Sequence, residues 1–237
     1  MKYLYDTYSH IGTRKSNQDS YAVCIGENGF AALVADGLGG YSGGELASAI
    51  CVDTVEAAFE NTDGFSLDLA LTEANENILQ MQQELDNAMK TTAAAVWIGK
   101  KETVFANVGD SRLYAFKNGR IVFQSIDHSV AQMCVDCGEI TPDMIRDHED
   151  RCILTRSLGG KQYVGVDTVV AYNDDYDSLL ICSDGFWGGV VEQQMCSALE
   201  QSETPGEWLG TMRKLCGTEI NSDNDNNTAV VINIKEG

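Results

Sequence analysis

The stretch Phe30–Ser48, FAALVADGLGGYSGGELAS, changes from apolar to glycine-rich at a single acidic residue. Its first six residues are apolar and predict a buried β-strand, which ends at Asp36. Five glycines lie among the next eight residues: Gly37, Gly39, Gly40, Gly43 and Gly44. Glycine has no side chain, so the backbone here leaves room for close approach. We therefore expect Asp36 to lie at a strand tip that an ion, a phosphate or both can reach.

Regular patterns continue on both sides of this stretch. The segment YAVCIGENGFAALVAD predicts two strands around a turn at Asn28 and Gly29. Glu45–Phe59 and the residues after Ser66 carry apolar side chains at steps of three and four, which predict two helices. Thr91–Ile126 contains short apolar segments separated by turn residues, and this pattern predicts an antiparallel meander.

The second half of the chain mixes strands and helices. Residues 129–152 are irregular and rich in Asp, which predicts a surface excursion. Later patterns predict three strands and two helices, at Val164–Tyr172, Ser178–Cys182, 228–234, Glu192–Leu199 and from Pro205 onward. This order of elements predicts an α+β sandwich.

Composition narrows the possible partners and the compartment. The formal net charge is −20 and no Lys/Arg cluster occurs, so we expect no nucleic-acid binding. No apolar run approaches the roughly 18 residues of a membrane span, and no secretory leader is recognisable, so a cytoplasmic protein without membrane attachment is expected. The eight cysteines are scattered, which favours reduced thiols. With only two prolines and no linker-like tract, residues 1–237 are predicted to form one domain.

Acidic residues recur where apolar segments end. Asp36, Asp110, Asp184 and Asp225 each occupy such a position, and Asp19 follows the polar stretch GTRKSNQDS. If the strands lie side by side, like charges at their tips need a counter-charge. No His or Cys accompanies these tips, and oxygen ligands alone favour hard ions such as Mg²⁺ or Mn²⁺.

Eight short motifs in a fixed order carry a family resemblance. Arg14-x-x-Asn17-Gln18-Asp19, ADGLGG, TTAAA, GDSR, DHS, LTRSLG, SDGFW and DNNT resemble the motifs of type 2C (PPM) metal-dependent Ser/Thr protein phosphatases of the compact bacterial type. The resemblance spans nearly the whole chain. It implies a four-layer αββα sandwich, with two central antiparallel β-sheets flanked by helix pairs and metals at one end. It also makes residues 129–152 the flap, a variable segment beside the active site.

The same resemblance assigns metal ligands. Asp36 corresponds to the family's aspartate that bridges two ions, and the Gly37 carbonyl to a ligand of one of them. Asp184 and Asp225 correspond to the acids that hold the first ion.

Two further acids complete the implied ligand set. Asp19 corresponds to an acid that supports the second ion, largely through water, and Gln18 stands where many relatives have Glu. Asp110 corresponds to a ligand that, with Asp184, can hold a third and weaker ion.

The implied reaction is hydrolysis of phosphoserine or phosphothreonine in proteins. Two Mn²⁺ or Mg²⁺ ions about 3.5 to 4 Å apart activate a bridging hydroxide that attacks phosphorus. Arg14 corresponds to the family's phosphate-binding arginine, whose planar guanidinium grips two oxygens. Some relatives place His where this chain has Leu38, so the proton donor is expected to be water, and His10, His128 and His148 are not assigned to catalysis.

Other readings stay open at the level of sequence. The fold could serve a non-catalytic pseudophosphatase, or an enzyme that hydrolyses small phosphomonoesters. Cys134, Cys137, His148 and Cys152 could in principle bind zinc, although a role as small buried hydrophobic residues explains such cysteines more simply. The favoured reading predicts a monomer that opposes a bacterial Ser/Thr kinase, with phosphosites flanked by Lys or Arg preferred because the protein is so acidic.

Overall fold

The computed structural model describes residues 2–38, 43–61, 64–216 and 224–235. Eleven strands occur in these ranges: β1 Lys2–His10, β2 Asp19–Gly26, β3 Gly29–Leu38, β4 Lys90–Thr91, β5 Ala93–Ile98, β6 Glu102–Val108, β7 Arg112–Lys117, β8 Arg120–Gln124, β9 Asp167–Tyr172, β10 Ser178–Cys182 and β11 Asn227–Lys235. The α-helices are α1 Gly43–Asn61, α2 Leu67–Leu85, α3 Val130–Asp136, α4 Asp184–Trp187, α5 Glu192–Glu200 and α6 Pro205–Cys216, and Pro142–Asp147 forms a 3₁₀-helix.

The strands form two antiparallel sheets. One has the order β1-β11-β10-β7-β8, and the other has the order β2-β3-β5-β6-β9 with the short β4 beside β3. The β2–β3 hairpin turns at Glu27 and Asn28, one residue before the predicted pair Asn28 and Gly29, because Gly29 already pairs with Gly26. The register of this hairpin places Asp19 directly opposite Asp36. Two of the predicted acids are therefore neighbours on paired strands.

Strand β3 shows why the opening stretch is apolar throughout. Ala31, Leu33 and Ala35 pack in a cluster with α1 and α2, whereas the alternate residues face a second cluster between the two sheets. Side chains alternate across a strand, so a strand covered on both faces must be apolar at every position. Helices α5 and α6 cover the other sheet with a third cluster that includes Trp208. The predicted four-layer sandwich is confirmed.

The predicted single meander is wrong at one point. β6 pairs with β9 in one sheet, whereas β7 pairs with β10 in the other, so the chain crosses between sheets in the sequence GDS. Gly109 makes this crossing with φ +101, and a Cβ there would lie 2.6 Å from Cγ2 of Thr92. Two adjacent hairpins look the same in sequence whether or not the second returns to the same sheet.

Residues 129–152, predicted to be irregular, contain α3 and the 3₁₀-helix, and other elements differ in their bounds. β9 begins at Asp167 rather than Val164, and α1 extends to Asn61. Gly39 and Gly40 of the opening stretch lie outside the described residues. Among the described helices, none combines the length and apolarity needed to cross a membrane.

The crossing at Gly109 predicts a matched pair of glycine substitutions. Gly109→Ala should lower the free energy of unfolding by about 2 to 4 kcal/mol, because alanine is strained at positive φ and its methyl group overlaps Thr92. Gly210→Ala, inside α6 with nothing within 4 Å of the added Cβ, should raise it by about 0.5 to 1 kcal/mol. Chemical denaturation measures both, and equal effects would contradict the assignment of strain to Gly109.

Candidate active site

Four of the five predicted acids line one open pocket at an end of the sandwich. Asp36 reaches it from β3, Asp110 from the crossing between the sheets, Asp184 from the start of α4 and Asp225 from the turn before β11. Arg14 and the backbone of Gly37 line the same pocket. The structure thus brings together six of the seven residues predicted for the site. The seventh, Asp19, lies behind Asp36 in the paired strand.

These carboxyl groups are buried and disfavour one another's charge. Burial raises the pKa of Asp36 well above its ordinary value, and the neighbouring Asp19, Asp184 and Asp110 raise it further. The pKa of Asp110 is also raised well above its ordinary value, first by burial and then by Asp184. Burial and Asp225 raise the pKa of Asp184, which shares a side-chain hydrogen bond with Asp36. When no cation is bound, protons on some of these carboxyl groups reduce the repulsion among them.

Asp19 has an incomplete set of partners. The hydroxyl of Ser183 donates to its Oδ2 at 2.8 Å, whereas its Oδ1 is buried with no hydrogen-bond partner among the described residues. Burial raises the pKa of this carboxyl to about 6, although hydroxyl groups of Thr228 and Ser183 partly oppose the shift. A buried acceptor without a partner is costly, and a bound cation or its water ligand would satisfy it.

The donor set fits hard divalent ions, but its side chains do not yet form a ligand shell. All five acids offer oxygen only, which suits Mg²⁺ or Mn²⁺. Within the described ranges, however, no three His, Cys, Asp or Glu side chains converge closely enough to hold an ion. The same finding covers Cys134, Cys137, His148 and Cys152, the residues of the zinc alternative.

Arg14 binds one of the predicted metal ligands, Asp225, which is one reason that the acids do not form a ligand shell. Its Nε donates to Asp225 Oδ1 at 2.9 Å and its Nη2 to Asp225 Oδ2 at 2.8 Å. The side chains are 50% and 40% exposed, so the pair sits at the pocket mouth. Arg14 was predicted to bind phosphate and Asp225 to bind metal. In this structure the two side chains bind each other instead.

Sequence reasoning missed the contacts that hold the backbone at Asp110. His128 is buried beside it: its Nδ1 accepts from the Gly109 N–H at 3.0 Å and its Nε2 lies 3.0 Å from Asp167 Oδ2. Trp187 Nε1 donates to the Asp110 carbonyl at 2.9 Å. Burial lowers the pKa of His128, which favours the neutral ring that accepts this bond. The DHS and SDGFW motifs contained both residues, but only the fold shows what they touch.

Arg112, the arginine of the GDSR motif, is buried beside the pocket and has a structural role. Arg112 is 3% exposed and makes two bonds to Asp127, at 2.8 and 2.7 Å, while its guanidinium lies 3.6 Å from the Trp187 ring centroid. A planar, bidentate pair stacked on an aromatic ring suits arginine and not lysine. This cluster supports the wall of the pocket near Asp110.

The remaining pocket wall includes Leu38 and the end of the flap. Leu38, Cys152 and Leu154 contribute side chains there, together with Lys15. His10, His128 and His148 are not among the described residues that line the pocket. Apart from the acids, the ionisable side chains among the described lining residues are Arg14, Lys15 and Cys152, so no imidazole is in place to donate a proton.

Comparisons with known proteins agree with this geometry. Residues 7–214 match the family model described as Protein phosphatase 2C. The chain is 34% identical over 205 residues to the serine/threonine phosphatase stp of Listeria welshimeri, covering 82% of this chain and 81% of that protein. It superposes on serine/threonine phosphatase Stp1 from Staphylococcus aureus with a TM-score of 0.89 and 27% identity, over 98% and 95% of the two chains. It also superposes on the catalytic domain of the phosphatase PstP in complex with two manganese ions, with a TM-score of 0.80 and 26% identity, over 98% and 99%.

From the buried acids we expect the metal-free protein, in EDTA, to become less stable as the pH rises through the mildly acidic range. The pKa of Asp19 is about 6 in the fold, above its unfolded value, so the native state binds more protons than the unfolded chain from about pH 4 to 6. The free energy of unfolding should therefore fall as the pH rises through this window. Asp19→Asn mimics the protonated group and should remove on the order of 2 kcal/mol of that fall.

Urea denaturation at several pH values measures this effect. Saturating Mn²⁺ should flatten the dependence on pH in the unmodified protein. A metal-free protein that becomes more stable from pH 4 to 6 would contradict the prediction.

Proposed function

The chain belongs to the protein phosphatase 2C family, and we propose that it hydrolyses phosphoserine and phosphothreonine in proteins with two divalent metal ions in this pocket. One observation carries the proposal: four carboxyl groups, three of them deep in the pocket and Asp225 at its mouth, face one pocket together with an arginine suited to phosphate. A site with that charge repels a phosphate monoester unless cations are bound. The comparisons favour this activity over a pseudophosphatase or an enzyme for small phosphomonoesters.

The proposed ligands follow the positions of the acids. Asp36 would hold both ions, the Gly37 carbonyl one of them, and Asp184 and Asp225 the first ion; all four residues line the pocket. Asp19, with its unpartnered Oδ1, supports the second ion. Asp110 and Asp184 together would hold a third ion, which binds more weakly than the other two. The ions themselves, Mn²⁺ or Mg²⁺, would supply charge neutralisation and an activated water.

The chain's own groups perform the rest. Arg14 presents a planar fork to two phosphate oxygens, which fixes the phosphorus and offsets the charge that develops there. Gly37 allows the backbone at the start of α1 to approach, since a Cβ there would lie 2.1 Å from the Gly44 carbonyl oxygen. Leu38 and Leu154 form an apolar part of the pocket wall. With no histidine among the described lining residues, water is the proposed proton donor to the departing serine or threonine oxygen.

The flap, residues 129–152, supports a preference for basic phosphosites. Its exposed charged side chains are acidic: Asp136, Glu139, Asp143, Asp147 and Glu149. Its two arginines are engaged internally, because Arg146 donates to Glu192 at 2.6 Å and Arg151 to the Arg146 carbonyl at 3.2 Å. We further propose that residues 1–237 form one domain, that the protein is a cytoplasmic monomer, and that it opposes a bacterial Ser/Thr kinase.

Hydrolysis of a phosphothreonine peptide tests the proposed activity. Turnover should require Mn²⁺ or Mg²⁺ and stop in EDTA, because the buried acids repel phosphate without ions. Asp36→Asn and Asp184→Asn should each lower kcat/KM by about 10³-fold or more, since each removes a ligand charge where the transition state needs it. Asp53→Asn, on the exposed face of α1, serves as the control and should retain full activity.

Two results would contradict the proposal. One is a folded protein that binds Mn²⁺ without hydrolysing any phosphopeptide, and the other is turnover that persists in both aspartate variants. A much higher kcat/KM for sugar phosphates than for phosphopeptides would instead indicate a metabolite phosphatase.

Paired peptides test the charge preference. At low salt, kcat/KM for a phosphothreonine peptide flanked by Lys and Arg should exceed that for an Asp/Glu-flanked peptide by about tenfold, because the acidic protein steers cationic substrates. The ratio should fall as ionic strength rises and the Debye length shortens. Equal values at low salt would refute the preference without affecting the proposed chemistry.

A further inference from the structure

The pair between Arg14 and Asp225 joins two groups that the proposed function assigns to different ligands. The guanidinium contacts both carboxylate oxygens, at 2.9 and 2.8 Å, and the Asn226 N–H also donates to Asp225 Oδ1 at 2.8 Å. Each oxygen of this carboxylate is thus engaged by at least one donor. A divalent ion at Asp225 would meet the positive guanidinium at close range.

The backbone around the pair is held on both sides. The Asn226 amide donates to the carbonyls of Ile11 and Ser16, at 2.8 and 3.0 Å, and its Oδ1 accepts from the Gln18 N–H at 2.8 Å. The Thr13 N–H donates to the Asn224 carbonyl at 2.9 Å. The loop that carries Arg14 is therefore fastened to the turn that carries Asp225. The Arg14 and Asp225 side chains can change partners while this backbone stays in place.

From this contact we infer that Arg14 is a competitor for the first metal site: it occupies Asp225 until an ion displaces it, and the displaced guanidinium then binds phosphate. The inference rests on the proposed function, because it takes Asp225 as a ligand of the first ion. Metal binding removes the guanidinium from its carboxylate partner, so it increases the affinity for phosphate. By thermodynamic linkage, phosphate bound to Arg14 increases the affinity for metal by the same factor.

This coupling imposes an order on the site. A phosphoprotein that reaches the metal-free pocket meets uncompensated carboxylates and an arginine already paired. After the ions bind, the pocket is neutralised and the arginine is available in the same step. The exposed position of the pair suits this exchange, because both side chains can move without opening the core.

Calorimetry of Mn²⁺ binding to the metal-free protein, without any phosphoester, tests the competition. Arg14→Ala should tighten the dissociation constant of the first ion by about two- to fivefold, the strength expected of an exposed ion pair. Arg14→Lys keeps the charge but loses the fork, and should give an intermediate value. Lys15→Ala is the matched control, because it removes a cation from the same pocket wall and should tighten binding less.

A second readout follows the guanidinium directly. The ¹⁵N signal of the Arg14 Nε–H group, assigned by its loss in Arg14→Lys, should shift when diamagnetic Mg²⁺ is added and shift again with inorganic phosphate. In Asp225→Asn without metal, the signal should already lie near the metal-induced position. The inference is overturned if Arg14→Ala binds Mn²⁺ no more tightly than the unmodified protein, if Lys15→Ala has an equal effect, or if Mg²⁺ leaves the signal unchanged.

These binding measurements are separate from turnover. An enzyme that fails to hydrolyse phosphopeptides while Arg14→Ala still tightens Mn²⁺ binding would refute the proposed function and leave the competition intact. Metal-dependent hydrolysis with identical dissociation constants in all variants would do the reverse.

Discussion

The repulsion among buried carboxylates at one end of the sandwich is the constraint on which the site depends. Burial and mutual repulsion raise the pKa values of Asp36, Asp110 and Asp184. Such a cluster destabilises the fold by itself and becomes favourable only when a cation or protons compensate it. The same metal ions would therefore stabilise the fold and take part in the proposed reaction.

The rest of the fold keeps these groups from moving apart. Asp36 is fixed by a strand buried on both faces and by the register that sets Asp19 opposite it. Asp110 is fixed by the carbonyl bond from Trp187, itself stacked under Arg112. A repulsive cluster persists when its surroundings over-determine its geometry, and here apolar packing and ring stacking supply that rigidity.

Much of this could be predicted from the sequence, for physical reasons that also mark its limits. The apolar run before Asp36, the turn between β2 and β3 and the stripe of α1 are local patterns, and the structure has them within one or two residues of where the patterns place them. The crossing at Gly109 was not predictable, because strand pairing is decided by distant partners such as β9 and β10. The residues lining the pocket followed from motif order, whereas the bond between Arg14 and Asp225 joins positions 211 residues apart and left no local signal.

The fastening of residues 11–18 to the turn before β11 has a consequence for how the protein is made. β1 pairs along its whole length with β11, and Asn226 closes the loop that carries Arg14. During synthesis, residues 2–18 must wait until residues 224–235 have left the ribosome before they can find these partners. Contacts of such long sequence separation slow folding and leave strand edges exposed meanwhile. A nascent chain therefore has no assembled site, and the earliest strand is the one that most needs protection from pairing with a neighbouring copy.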